Sequence, residues 1–563
     1  TLVVLATFIV YLPALQNGFV NWDDHLYVYE NQNIRSIDPA FLFSFYFGNW
    51  HPLTMFSLAL DYAIWGLNPF GYHLTNVLFH SFNTFLVFIL IVRLIKCTTN
   101  PSAFTLHPSS LIAASVAALL FGVHPLRVES VVWVSERKDV LCAFFFLLSI
   151  LAYLSYARGP KRRLFYAASL ISFSLALMSK PMAVSLPLVL LILDFYPLNR
   201  LTTGFRGVLA EKLPFFVLSV LSSLVTVWAH HSEKALVEGV LVAVEPFLFM
   251  GLLAMRACIF YLAKMVLPFN LSPLYPRPDR VDPFSFEYIV SFILLLVITY
   301  IIFKSLKRNR LYPAVWFYYI VTLIPVIGIV PVGAHAAADR YTYLPSLGPL
   351  LLLGLGVGNL FESCSKKQQA ALVAALILLF GALAGKTITQ IAVWKDPITL
   401  WSRVIEFFPS SAKAYVNRGW TYVALGKNRQ AVKDLDVAIR LDPISPRSYR
   451  GRGNAYNRMG NYQQAIKDYS KAIELNLLEG GDNKEAIIKT YINRGASYMA
   501  MAQYQLAIKD FNEAIKFDPG YASAYNSRGT VYVNAGAYQQ GIKDLDTAIQ
   551  LDPVSADAYY NRG

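Results

Sequence analysis

The sequence predicts an all-α protein in two parts: a polytopic membrane helix bundle, then an α-solenoid. The 563 residues are 56% hydrophobic with a mean hydropathy of +0.44. That is too apolar for soluble domains, and the apolar residues come in runs broken by short polar turns. Past about Trp394 the runs stop and a pattern with a period of 34 residues takes over. The expected division is a membrane domain over 1–393, a linker over 394–411 and repeats over 412–563.

The chain opens on an apolar run from Thr1 to Leu15, followed by Asn17-Gly18-Phe19-Val20-Asn21-Trp22-Asp23-Asp24. Two adjacent carboxylates thus stand where a helix leaves the bilayer, a costly place unless they have a partner or a task. No small-residue cleavage site follows the run, which reads as a retained anchor. Further apolar runs lie at roughly 76–95, 111–123, 139–157, 164–179, 182–198, 214–230, 246–267, 287–304, 311–331, 344–361 and 369–388. Run 246–267 contains Arg256 and Lys264 and is expected to lie in the interface, which leaves about 11 spans.

The net charge of +14 is concentrated in clusters between the runs, such as Arg158-Gly159-Pro160-Lys161-Arg162-Arg163 and Lys304 to Arg310. Clusters so placed report membrane orientation rather than nucleic-acid binding. With these loops in the cytoplasm, the first loop, the turns His124 to Asp139 and Ser179-Lys180-Pro181, and His335 to Pro345 all fall on the opposite face. The expected location is a bacterial inner membrane with the repeats in the periplasm. The alternative is the endoplasmic reticulum with the repeats in the lumen.

The repeat is marked by Asn417-Arg418-Gly419, Gly451-Arg452-Gly453, Asn493-Arg494-Gly495, Ser527-Arg528-Gly529 and Asn561-Arg562-Gly563. Steps of 34 residues separate them, except one of 42 that carries an insert around 479–486. Tyr422, Tyr456, Tyr498 and Tyr532 follow each glycine by three, and small residues recur at Ala431, Ala465, Ala507 and Gly541. This is the tetratricopeptide pattern, in which small residues let two helices approach closely. The chain stops inside a fifth repeat, so the array is expected to continue.

Candidate chemistry gathers in the polar turns. Arg137, Lys138, Lys180 and Arg340 are cations at similar depth that suit a phosphate or pyrophosphate. A snorkelling hairpin would account for the first two, and a structural pair for Asp339-Arg340. The four cysteines lie in or beside apolar runs without metal spacing, and the histidines show no metal-ligand spacing. Gly354-Leu355-Gly356-Val357-Gly358 sits inside an apolar run and reads as a helix-packing surface. No Walker A sequence is present, which argues against a self-powered pump.

As a set, these motifs resemble the GT-C class of polyprenyl-phosphate-sugar glycosyltransferases, and most closely the transmembrane and tetratricopeptide-repeat O-mannosyltransferases and bacterial relatives of that layout. The resemblance rests on Phe19 to Asp24, His51-Pro52-Leu53-Thr54, Gly66 to His80, Phe121 to Pro125 with Glu129, Arg137 to Leu141, Ser179-Lys180, and Asp339 to Ser346. It implies an inverting transfer from a lipid-phosphate sugar to a Ser or Thr hydroxyl of a protein. Asp23 would be the base with Asp24 beside it, and Arg137, Lys138, Lys180 and Arg340 would meet the donor phosphate. His51, His124, Glu129 and Asp339 would form a supporting polar site. The donor is already activated, so no cofactor or metal is expected; the repeats would bind the protein acceptor. Glu136-Arg137-Lys138-Asp139 and Lys180-Pro181 depart from the eukaryotic pattern of Gly-Arg-Ala-Asp and Lys-Glu. A membrane-anchored repeat scaffold without catalysis is the competing expectation. A transporter would need polar residues across both leaflets rather than on one face.

Overall fold

The computed structural model describes residues 2–38, 43–46, 48–98, 107–159, 161–233, 247–278, 281–328, 335–478, 480 and 483–563. Residues 479, 481 and 482 of the repeat insert lie outside them. Two compact units divide the chain at Arg403 and Val404.

In the first unit α1 (Leu2–Tyr11), α2 (Pro52–Trp65), α3 (Pro69–Thr98), α4 (Pro108–Val123), α5 (Val128–Val132) and α6 (Arg137–Arg158) come first. They are followed by α7 (Arg162–Ser179), α8 (Leu186–Phe195), α9 (Leu201–Glu233), α10 (Phe247–Val266) and α11 (Phe286–Ser305). Then come α12 (Leu311–Leu323), α13 (Leu347–Ser363) and α14 (Lys366–Val393). The stretch expected as a linker contains a further helix, α15 (Pro397–Phe407).

Among the described residues, six helical segments are long and apolar enough to cross a bilayer, seven if α4 and α5, bent by 53° at His124-Pro125, form one span; four shorter apolar helices accompany them. The chain is a multi-pass membrane protein. The sequence expectation changes at two helices. Within α10, the segment Phe249–Val266 is among the six, whereas α7 is not among the spans or the shorter apolar helices. The cations of α10 are held: Arg256 pairs with Glu287 at 2.7 Å, and the Lys264 ammonium donates to the Asn270 carbonyl at 3.3 Å. Partners of this kind lower the cost of placing charge at the membrane.

Close packing follows the small residues. A Cβ on Gly354 would stand 2.4 Å from the Ala113 carbonyl oxygen, and one on Gly358 2.7 Å from that of Ser109, while Gly356 faces open space. The glycine run is therefore the surface on which α13 meets α4. A two-stranded antiparallel pairing joins β1 (Tyr275–Pro276) to β2 (His335–Ala337). It brings the segment after α10 to the segment before Asp339.

The second unit pairs α16 (Ala412–Ala424) with α17 (Asn428–Leu441), α18 (Pro446–Arg458) with α19 (Tyr462–Leu478), and α20 (Lys484–Ala500) with α21 (Tyr504–Phe517). It continues with α22 (Ala522–Asn534), α23 (Tyr538–Leu551) and α24 (Ala556–Arg562). The recurring glycine is forced by packing. A Cβ on Gly419, Gly453, Gly495 or Gly529 would fall 2.7–2.8 Å from Leu435, Tyr469, Phe511 or Leu545 of the second helix. The arginine before it joins the two helices. Arg418, Arg452, Arg494 and Arg528 each form a two-pronged fork to Asp434, Asp468, Asp510 and Asp544, with bonds of 2.6–2.8 Å.

Candidate active site

The loop after α1 is fixed by its own polar residues. The Asn17 amide donates to the Ile391 carbonyl at 3.1 Å, and the Gly18 N–H to that of Lys395 at 2.9 Å. Trp401 donates to Asn21 at 2.8 Å, and the Trp22 ring lies between Trp133 (4.9 Å) and Trp401 (5.2 Å). Asp24 is 1% exposed and accepts from the Val20 N–H, the Ser135 N–H and the Ser135 hydroxyl at 2.9, 2.9 and 2.5 Å. Burial nevertheless pushes its carboxyl up to about 6, against those hydrogen bonds. Asp24 thus fastens this loop to the turn before α6.

Asp23 differs. It is only partly buried, and its carboxylate makes no hydrogen bond or ion pair among the described residues. Its charge is felt by Lys138 and Tyr27. Of the two adjacent acids, one is locked and the other is open.

Beside them three cations from distant parts of the chain converge on one carboxylate, Glu136. Lys138 reaches it at 3.3 Å, Lys180 at 3.1 Å and Arg340 at 3.4 Å; their side chains are 10%, 14% and 9% exposed and that of Glu136 is 2%. Lys138 stands in the first turn of α6, where the helix dipole disfavours a cation. Glu136 and the Tyr27 ring, 5.0 Å from the ammonium, hold it there. Lys180 precedes Pro181, which keeps its backbone extended (φ −158°, ψ 131°) and ends α7. Its ammonium also meets Asp139 at 2.5 Å. Burial opposes the charge on Lys180, but Asp139 and Glu136 outweigh it and hold the ammonium above its ordinary range.

Arg340 is presented by the turn Asp339–Thr342. Glu129 binds both its guanidinium and its backbone N–H, the latter at 2.9 Å. Asp339 points the other way and accepts from the Tyr275 hydroxyl at 2.9 Å. Burial, reinforced by Glu129, raises its carboxyl well above the usual range. His51 is buried against the cluster, and its Nδ1 has no hydrogen-bond partner among the described residues. Burial first, then the charges of Lys138 and Lys180, lower its imidazole to about 3, so the ring is neutral.

Two expected site residues are placed apart from this cluster. Arg137 is wholly buried and committed: it pairs with Asp61 at 2.6 Å and donates to Ser57 at 2.7 Å, the Tyr72 carbonyl at 2.9 Å and Asn76. His124 caps the bend between α4 and α5, accepting from the Leu126 N–H at 3.3 Å and meeting the Met265 carbonyl at 3.1 Å. Conversely, Glu136 and Asp139, at the centre of the cluster, do not stand out in the sequence as site residues. Their one signal is the alternation of acids and bases in Glu136-Arg137-Lys138-Asp139.

An acid–cation cluster at one end of a membrane helix bundle, joined to a helical-repeat solenoid, defines the class of protein. Tetratricopeptide-repeat family profiles match residues 412–445, 445–519 and 492–556. Along most of its length the chain is similar to proteins named protein O-mannosyl-transferase. Human TMTC4 is 23% identical over 445 residues, 68% of this chain and 57% of that protein. Tmtc3 of Drosophila melanogaster is 24% identical over 513 residues, 78% and 54% of the two chains. A shorter match of 168 residues to Drosophila melanogaster Tmtc1 reaches 33%, over 28% of this chain and 18% of that protein. The chain spans little more than half the length of the first two.

Proposed function

We propose that this protein transfers a sugar, with inversion, from a polyprenyl-phosphate donor to a Ser or Thr hydroxyl of a protein. The names of its relatives make a mannosyl group the first sugar to test. The observation that carries the reading is the open carboxylate of Asp23 near the buried Lys138, which shares Glu136 with Lys180 and Arg340. Asp23 takes the proton of the acceptor hydroxyl while its oxygen attacks the anomeric carbon. The bond from that carbon to the phosphate oxygen breaks, and the lipid phosphate leaves with the electron pair toward the cations. Asp24 positions Asp23, and the neutral His51 packs against the cluster. Arg137 supports the first turn of α6 from behind. The solenoid binds the acceptor.

The test is Asp23→Asn, assayed in detergent with a short-chain polyprenyl-phosphate sugar. The expected result is a fall in kcat of about 10²- to 10⁴-fold with an unchanged melting temperature. Full activity in the variant removes Asp23 as the base, whereas no transfer by the wild type leaves the anchored scaffold as the better account.

A further inference from the structure

We propose that the inner face of α18 is a docking site for an acidic peptide segment, about five residues long. The inference rests on the reading of the solenoid as the part that holds the acceptor, and it gives that acceptor a chemistry. The first helices of successive repeats touch one another, α16 with α18, α18 with α20, α20 with α22 and α22 with α24, while the second helices do so less. First helices therefore form the inner wall, where a solenoid offers its concave surface.

That wall is not uniform. α18 carries four arginines and no acid. Arg452 faces the second helices and is satisfied by Asp468 and Asp436, both at 2.7 Å. Arg447, Arg450 and Arg458 lie three, then eight residues apart on another face of the helix, and they do different things. Arg450 sits 5.2 Å over the Trp420 ring and donates to the Ala486 carbonyl at 3.4 Å. Arg458 is exposed and donates to the Val423 carbonyl. Arg447 is exposed and its guanidinium makes no hydrogen bond or ion pair among the described residues. The Trp420 indole donates to the Arg447 carbonyl at 3.2 Å, which fixes the ring between α16 and α18.

The result is a basic strip with an aromatic floor. Eleven residues separate Arg447 from Arg458, about 16 Å along a helix at 1.5 Å per residue. An extended peptide covers that length in about five residues. Along the same wall, α20 holds Lys489 on Glu485 and Arg494 on Asp510, and the only charged residue of α22 is Arg528, which is committed to Asp544. A patch this short suits two or three carboxylates of a peptide and offers no long track for a nucleic-acid backbone.

The experiment uses the full chain in detergent and fluorescein-labelled hexaglutamate, hexaglutamine, hexalysine and hexathymidylate, read by anisotropy. Hexaglutamate alone is expected to bind, with affinity falling at least tenfold between about 0.05 and 0.3 M salt. Combining R447E with R458E should weaken it at least tenfold, and Arg447→Gln, which breaks no hydrogen bond or ion pair among the described residues, at least threefold. Lys543→Glu, on the exposed face of α23, should change nothing. Wild-type hexaglutamate binding by Arg447→Gln overturns the proposal, and so does tighter binding of hexathymidylate. Sugar transfer to a short uncharged acceptor is measured in parallel and should be untouched by the arginine variants. If wild type shows no transfer, the reaction proposed above fails, while hexaglutamate binding still decides the docking site.

Discussion

Arg137 and Lys138 are neighbours in sequence, yet the structure gives them opposite surroundings, and Arg137→Met tests that division. Arg137 is 0% exposed and its partner Asp61 is 6% exposed in their side chains. Methionine keeps the length but removes four bonds: to Asp61, Ser57, Tyr72 and Asn76. Among the described residues, Asp61 would keep only the Thr75 hydroxyl, at 2.8 Å. Breaking a buried pair by removing one partner costs about 3–5 kcal/mol, because the other charge remains buried. The variant should therefore unfold several degrees lower in a thermal scan in detergent, and adding Asp61→Leu should recover most of the loss. Below that transition its Kd for a short-chain polyprenyl phosphate should stay within about threefold of wild type, whereas Lys138→Met should weaken binding at least tenfold. An Arg137→Met protein with unchanged melting temperature and weakened lipid binding would refute the assignment and make Arg137 a phosphate ligand.

Three further predictions rest on contacts of the site and of the solenoid. The folded-state value of Asp24, about 6, is raised from 3.8, so its contribution to stability is full below about 4 and is lost as pH rises through 6. The change is about 3 kcal/mol at about 1.4 kcal/mol per unit, and the fall in melting temperature between pH 4 and 6.5 should be smaller in Asp24→Asn. In the solenoid, Arg494→Ala leaves Asp510, 3% exposed, without its fork; a loss of about 2 kcal/mol should speed amide exchange in α20 and α21 about 30-fold, with Arg494→Lys recovering only part of it. Glu136→Gln removes the acid that occupies the three cations, so polyprenyl phosphate should bind about tenfold tighter while the melting temperature falls; weaker binding would mean that Glu136 orders the cations instead of competing for them.

What the sequence made legible was whatever repeats or lies close by. The period of 34, the packing glycines and the carboxylates after the first apolar run all depend on local pattern, and the structure shows the same features. Partners distant in the chain were not legible. Nothing near Arg137 announces Asp61 and Asn76, which lie 76 and 61 residues away. Nor does the sequence disclose the pair of Lys212 and Asp194, 2.6 Å apart with both side chains 0% exposed, to which the Tyr153 hydroxyl also bonds. The interfacial reading of run 246–267 likewise weighed Arg256 without Glu287, which the structure sets beside it.

The charge of the cluster explains why one acid must be locked and its neighbour open. Lys138, Lys180 and Arg340 face Glu129, Glu136 and Asp139, while Asp339 is held toward its neutral form by burial and Glu129. Those three cations and three acids balance, and the adjacent Asp23 and Asp24 stand outside that count. On the proposed reaction, the donor enters as a phosphodiester with one negative charge and leaves as a monoester with a second. In a buried site that extra charge is expensive unless something compensates it at once. The proton taken by Asp23 does so: one carboxylate becomes neutral as one phosphate oxygen becomes charged, and the total is unchanged. Asp24 could not serve, because its oxygens are already filled by Val20 and Ser135. The pair is thus a fixed acid that supplies geometry and a free one that supplies the proton balance, and exchanging their roles would lose both.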